Sequence, residues 1–268
     1  MIRNIKLVFI QAICLVMACS FGKASQDPLN STVSVKNFTT LIFIETESSY
    51  AVKSSHAQFS LPETPFQKIT GSSDNNGIKT IIVKSGNFSK DFINNEKDMS
   101  KLTRDTALLG LNSEAVKDLV EEYNEWASKQ NNPLQLTETF VFKYITNKTL
   151  GFPMLSAENI IEYKSGDCTE HAVLAIALLR AQGIPSRAVV GMLLSPYFNG
   201  KDNVFVFHMW AEAYYKGTWH IIDATRPGQI YPNRYIAFSY HNLRTAAPKD
   251  YMKAVMTIQN MNVEYIEK

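Results

Sequence analysis

Cysteine is scarce in this chain: there are three in 268 residues, and Cys14 and Cys19 both fall within the first two dozen. Only Cys168 remains beyond that stretch, which excludes an intramolecular disulfide framework. Charge of one sign is also lacking. Lys and Arg number 27 against 25 Asp and Glu, a formal net charge of +2. A near-neutral surface offers little to a polyanion, so no nucleic-acid partner is expected. With 12 Gly and 10 Pro, no repeat and no low-complexity tract, collagen and wholesale disorder are excluded. What is plentiful is apolar mass, at 45% of residues with 15 Phe and 12 Tyr, enough for a sizeable core.

Residues 1–24 have the layout of a secretory signal. Basic Arg3 and Lys6 precede an apolar run from Leu7 to Phe21, and small Gly22 and Ala24 suit a cut after Ala24. Removing Arg3, Lys6 and Lys23 takes three positive charges from the net +2 and leaves −1. The apolar run is shorter than the about 20 residues a bilayer helix needs, so no integral membrane span is expected in the mature chain. The chain is therefore expected to be exported, to the periplasm or the extracellular space. Val16-Met17-Ala18-Cys19 resembles a bacterial lipoprotein box, and lipidation through Cys19 is the alternative processing.

Residues 25–100 read as a small β-rich region. Extended patterning covers Val33 to Val35, Thr40 to Ile44, Tyr50 to Val52 and Ile78 to Val83, with a turn-rich stretch from Gly71 to Gly77. From Ser113 the period becomes helical, with Val116, Leu119, Val120, Tyr123 and Trp126 on one stripe. A second helix is expected from Thr137 as N-cap, and a third, short one from Ser156. The stretch Ala172 to Leu179 is apolar on every side, so its helix must be buried, with Gly183 closing it. Strands follow at Arg187 to Leu194, Val204 to Tyr215 and Thr218 to Asp223, then around Tyr235 to Phe238 and Val255 to Ile266. Helices before antiparallel strands make residues 101–268 an α+β domain rather than a doubly wound one.

A lone thiol in an oxidising compartment is either buried and inert or used chemically. Gly166-Asp167-Cys168 stands at the entrance of the buried helix, with Asp167 as N-cap and Cys168 in the first turn. The helix terminus favours negative charge there by up to ~1–2 kcal/mol, lowering a thiol pKa by about one unit. A strong nucleophile needs a cationic neighbour as well, and a histidine supplies both that charge and a proton shuttle. Such a pair would bring the thiol's titration well below ~8.5. His208 lies within the apolar strand Val204 to Trp210. A hairpin turning at Lys216-Gly217 sets His208 level with position 225, one residue pair from Asp223, close enough for a carboxylate to hold the imidazole. His171, one turn after Cys168, suggests a C-x-x-H metal pair, but no second ligand pair completes a tetrahedral set, so no metal is expected. Glu170 is expected to pair with backbone or a basic side chain, and Trp126 and Trp210 to be core aromatics.

Gly166-Asp167-Cys168-Thr169-Glu170-His171-Ala172, then Leu178 to Arg187, then Phe207-His208-Met209-Trp210 and Trp219 with Asp223-Ala224-Thr225 resemble the core of the transglutaminase-like superfamily, specifically its secreted bacterial branch. The resemblance covers about residues 110–240. It implies a papain-like fold in which the helix carrying the cysteine packs on an antiparallel sheet. It also implies a catalytic triad of Cys168 as nucleophile, His208 as general base and acid, and Asp223 as orienting carboxylate. Ala224 stands where many members have proline. The implied chemistry is attack on an amide carbonyl and a thioester resolved by water or an amine, with no cofactor. The expected partner is a protein or peptide substrate, and hydrolysis is expected over transfer to an amine. A non-catalytic binding module on the same fold is the alternative.

Overall fold

The computed structural model describes residues 32–92, 98–128, 130–149, 154–241, 243–244 and 261–267. The leader, with Cys14 and Cys19, lies outside them, as does the 255–260 part of the last expected strand. The described fold is α+β. Four α-helices occupy its middle: α1 (Glu114–Ala127), α2 (Pro133–Tyr144), α3 (Ala157–Tyr163) and α4 (Cys168–Ala181). Helix α1 starts where Ser113 accepts the Val116 N–H, and buries Val116, Leu119 and Tyr123. Helix α2 starts earlier than expected. Asn132 caps it and Pro133 fills its first turn, which leaves Thr137 inside the helix, buried, donating to the Pro133 carbonyl at 2.8 Å. Ser156 caps α3, and Gly183 follows α4 at φ 72°, a left-handed conformation that glycine adopts freely.

Eleven strands are described: β1 (Thr32–Lys36), β2 (Ser48–Ser54), β3 (Gln67–Asn75), β4 (Ile78–Ser85), β5 (Asn147–Lys148), β6 (Ser165–Gly166), β7 (Ser186–Phe198), β8 (Lys201–Tyr215), β9 (Thr218–Ile222), β10 (Tyr235–His241) and β11 (Met261–Ile266). Two expectations for the first hundred residues change. Thr40 to Ile44 is not extended: Thr40–Phe43 forms a 3-10 turn capped by Thr39, with Ile42 as its buried anchor. The polar Gly71 to Asn75 is not loop but the end of β3. A two-residue turn at Asn76-Gly77, both at positive φ, zips it onto β4, and an edge strand tolerates polar side chains.

The strands of residues 32–85 continue the main sheet. Its order is β10-β7-β8-β1-β11-β2-β4-β3, with β9 also paired to β8. Strand β1 runs antiparallel to β8 and parallel to β11, and β11 runs antiparallel to β2. The hairpin has the register its turn requires, pairing Tyr215 with Thr218 and Ala211 with Ile222.

Strand β8 organises the site. Along one edge it pairs with β7 over nearly its whole length. Its other edge is shared: β1 covers Val204 to Val206 and β9 covers Ala211 to Tyr215. Residues 207–210 have no strand partner on that edge among the described residues. Helix α4 packs against β8 and β7, and every residue from Thr169 to Arg180 is buried. Val173, Leu174, Ile176, Leu178 and Leu179 are fully enclosed, each contributing roughly 1.5–3 kcal/mol by leaving water.

Because β11 has β1 and β2 as its two neighbours, deleting residues 1–100 strands it and opens the edge of β8. The shortened protein is expected to lose its cooperative thermal transition, read by circular dichroism. A sharp transition at the full-length midpoint would show that the sheet does not need β1.

Candidate active site

The backbone around Cys168 is held before any side-chain chemistry begins. Asp167 caps α4, accepting from the Thr169 N–H and hydroxyl at 2.9 Å each, while Glu170 turns back to accept the Asp167 N–H at 2.9 Å. This reciprocal capping satisfies first-turn donors that a helix leaves unpaired. Glu170 also accepts the Leu155 N–H at 3.1 Å, so each of its two oxygens takes a backbone N–H. A side chain at Gly166 would run into Glu170, which is why glycine stands two residues before the cysteine.

Cys168 itself is half-buried. Its helix packs against β8, the strand that carries His208 and Met209. Burial pushes the thiol well above its ordinary range; the charge of Asp167 adds most to that, the Met209 N–H opposes it, and Glu170 and Asp223 add further. The lowering expected from the helix terminus is therefore outweighed, because desolvation of a buried anion exceeds a helix-dipole term of ~1–2 kcal/mol. Activation has to come from a group that takes the proton.

His208 and Asp223 do come together. His208 Nε2 and Asp223 Oδ2 are 2.7 Å apart, and both side chains are buried. With Nε2 donating to the carboxylate, Nδ1 is the nitrogen left to accept a proton. Three further groups secure Asp223. Tyr235 donates to Oδ2 at 2.9 Å, and Thr225 donates to Oδ1 from its N–H at 3.1 Å and its hydroxyl at 2.6 Å. Glu138, on α2, accepts the Asp223 main-chain N–H at 3.0 Å. Burial works against the Asp223 charge, but the attraction and hydrogen bond of His208, with the Thr225 hydroxyl and Arg226, outweigh it and hold the carboxyl well below its ordinary range. Trp210 stacks at 6.2 Å from the His208 ring and meets Tyr235 edge-on at 5.1 Å. It is a core aromatic, as is Trp126, which packs with Tyr123 and Phe140.

Sequence reasoning missed Tyr235 and Glu138. Neither has a local signal, since they lie 12 and 85 residues from Asp223 in the chain. Thr225 had one, as Asp-x-Thr is a turn in which the hydroxyl and N–H return to the carboxylate.

His171 is occupied on both sides. Nδ1 donates to the Asp167 carbonyl at 2.5 Å, so Nε2 accepts from the Lys148 ammonium at 2.6 Å. Burial, and next Lys148, push its pKa down to about 4, and burial pushes Lys148 down to about 8. Among the described residues no group of three or more His, Cys, Asp or Glu is disposed to hold a metal. None of the described helices is long and apolar enough to cross a membrane.

Residues 117–224 match the family described as the transglutaminase-like superfamily. Among solved structures the chain is similar to a candidate cysteine protease from Cytophaga hutchinsonii, at 16% identity and a TM-score of 0.49, covering 87% of this chain and 82% of that one. It is also similar to the periplasmic domain of TgpA from Pseudomonas aeruginosa bound to ethylmercury, at 16% identity and a TM-score of 0.47, over 68% and 73%. Red sea bream transglutaminase is similar at 12% identity and a TM-score of 0.35, over 80% and 52%. No curated protein matches the chain.

The buried His171 gives a test of the frame around the cysteine. Its folded pKa is about 4 against an ordinary 6.5, so the unfolded chain takes the proton first as pH falls. The stability it contributes is complete above pH 6.5 and is lost as pH falls toward 4, by on the order of 1.4 kcal/mol per unit. The difference in unfolding free energy between wild type and His171→Gln, from urea titrations, is expected to grow from pH 4 to pH 6.5. A difference that stays flat across that window would show that the imidazole is not buried neutral.

Proposed function

We propose that this protein performs thiol-dependent acyl transfer on protein or peptide amides, with Cys168 as nucleophile, His208 as general base and acid, and Asp223 as the carboxylate that orients the imidazole. The observation that carries the reading is the buried 2.7 Å bond between His208, on the strand against which the helix carrying Cys168 packs, and Asp223. A histidine locked to an ionised carboxylate through Nε2 has one basic atom to offer, and the proposal gives it the proton of the Cys168 thiol.

In the proposed cycle His208 Nδ1 takes the thiol proton as the sulfur attacks the amide carbonyl carbon. The first-turn N–H of Cys168 is proposed as a donor to the developing oxyanion. Nδ1–H then protonates the departing amine, the C–N bond breaks, and a thioester remains. Water attacks the thioester carbonyl with Nδ1 as base, the C–S bond breaks, the acid leaves, and the proton returns to sulfur. Hydrolysis is the proposed outcome because water is in vast excess in an open compartment and no described feature marks an amine site. The leader reading places this activity outside the cytoplasm.

Iodoacetamide labelling tests the reading without a known substrate. Cys168 is followed in the tryptic peptide from Ser165 to Arg180, which keeps Cys14 and Cys19 out of the measurement. At neutral pH His208→Ala is expected to label about 10²-fold more slowly than wild type, within the range a positioned base contributes. Asp223→Ala is expected to fall between them. Wild-type rates in a folded His208→Ala protein would favour the non-catalytic binding module. Incubating a cell-envelope extract with wild type and Cys168→Ala, and reading peptide masses, then separates gain of water, loss of ammonia and cross-linking.

A further inference from the structure

We propose that Glu138 is a positioning residue for the His208–Asp223 pair: it holds the Asp223 main chain from helix α2 and so sets where the orienting carboxylate stands. The inference rests on the reading of His208 and Asp223 given above and extends it to a group 85 residues away in the chain.

Glu138 has an unusual place for a carboxylate. It is 4% exposed, in a helix whose other buried residues are Leu134, Leu136, Thr137, Phe140 and Val141. A side chain serving only solubility would point outward, and an isolated buried carboxylate costs several kcal/mol unless its oxygens are satisfied. Both oxygens are used, and both go to the same short segment. Oε1 accepts the Asp223 N–H at 3.0 Å, and Oε2 accepts the Gly228 N–H at 3.4 Å. Strand β9 ends at Ile222, so the Asp223 N–H has no partner in the described ladder. Without Glu138 that donor would be buried and unpaired, just where the chain leaves the sheet and turns toward Gly228.

The segment also borders an open groove of about 570 Å³, lined by Gln135, Glu138, Lys216, Thr218, His220 and Gly228 among others; Cys168, His208 and Asp223 do not line it. The Glu138 hydrogen bond ties this segment to α2. Of the other restraints on Asp223, those from His208, Thr225 and Tyr235 reach its carboxylate oxygens, and the Arg226 N–H, in the same turn, donates to its main-chain carbonyl at 3.1 Å. Among these Glu138 is the one that holds the Asp223 main-chain N–H, and it does so from another element of the fold. Burial pushes Glu138 up to about 7, which the backbone hydrogen bonds only partly offset, so the side chain is kept at this position against its own solvation.

Two conservative variants separate reach from charge. Glu138→Gln keeps an amide oxygen at the length needed for the Asp223 N–H and removes the charge. Glu138→Asp keeps the charge and draws the acceptor back by one methylene. With Cys168 labelling at neutral pH as the readout, Glu138→Gln is expected within about threefold of wild type and Glu138→Asp about tenfold slower, since small misplacements of a catalytic group cost one to two orders of magnitude. The far-downfield proton of the His208–Asp223 hydrogen bond in ¹H NMR is expected to hold its position in the Gln variant and to shift or broaden in the Asp variant. Equal labelling in wild type and Glu138→Asp, or slow labelling in Glu138→Gln with Glu138→Asp at wild-type rate, overturns the proposal, the latter by showing that charge rather than reach matters. His208→Ala is the control that keeps the two readings apart. If it labels at wild-type rate the proposed function fails; if it is slow while both Glu138 variants match wild type, the positioning role alone fails.

Discussion

The uncovered stretch of the β8 edge is the constraint on which the rest depends. A strand in the middle of a sheet has its backbone groups paired on both sides, and any that are not must find another partner. Strand β1 ends its pairing at Val206 and β9 begins at Ala211, so residues 207–210 lie between two neighbours that do not meet. Helix α4, with Cys168 in its first turn, packs against β8. Strand β9 ends at Ile222, and the next residue, Asp223, bonds His208. The outer strands at the N-terminal side of the fold thus act on the site through β1, which closes one side of the interval.

Electrostatics around the thiol pull against its ionisation. Burial leads, and Asp167, Glu170 and Asp223 all add negative charge near the start of α4. Asp167 itself is pushed up to about 7, first by burial and then by Glu170, so the capping carboxylates compete with one another. A further unneutralised anion would be poorly tolerated there. His208 is the group proposed to change this: it is bonded to a carboxylate satisfied on both oxygens, and in the proposed cycle it takes the thiol proton. In the proposed cycle the proton is transferred as part of attack, with the buried Asp223 as the fixed charge beside His208.

Helix α4 is held at its far end as well. Arg180 donates from Nε and one Nη to the Ser186 carbonyl, at 3.1 and 2.7 Å, and from the other Nη to the Arg104 carbonyl at 2.7 Å. With the capping box at one end, backbone carbonyls gripped by a guanidinium at the other and apolar side chains packed all round, the helix has little freedom to shift. A nucleophile carried on such an element keeps its geometry better than one on a loop.

Much of this was legible along the chain, because it is written in short-range patterns. Ser113 and Ser156 as caps, the all-round apolar face of α4, Asp167 ahead of Cys168, and the Lys216-Gly217 turn are local features, and local sterics and hydrogen bonding decide them. The turn also carried the long-range relation that matters most, since a hairpin register converts the spacing of His208 and Asp223 into a distance. Other parts needed the whole fold. The polar residues before Asn76-Gly77 read as loop until β4 supplied a partner, Thr137 read as a cap until Asn132-Pro133 began the helix earlier, and Thr40 to Ile44 read as strand although a 3-10 turn buries Ile42. The pairing of β1 with both β8 and β11, the approach of Tyr235 and Glu138 to Asp223, and the rise rather than fall of the thiol pKa have no trace in local sequence. The reason is physical: backbone conformation is chosen over a few residues, whereas burial and the partners of a buried charge depend on which distant segments the sheet and its packed helices bring together.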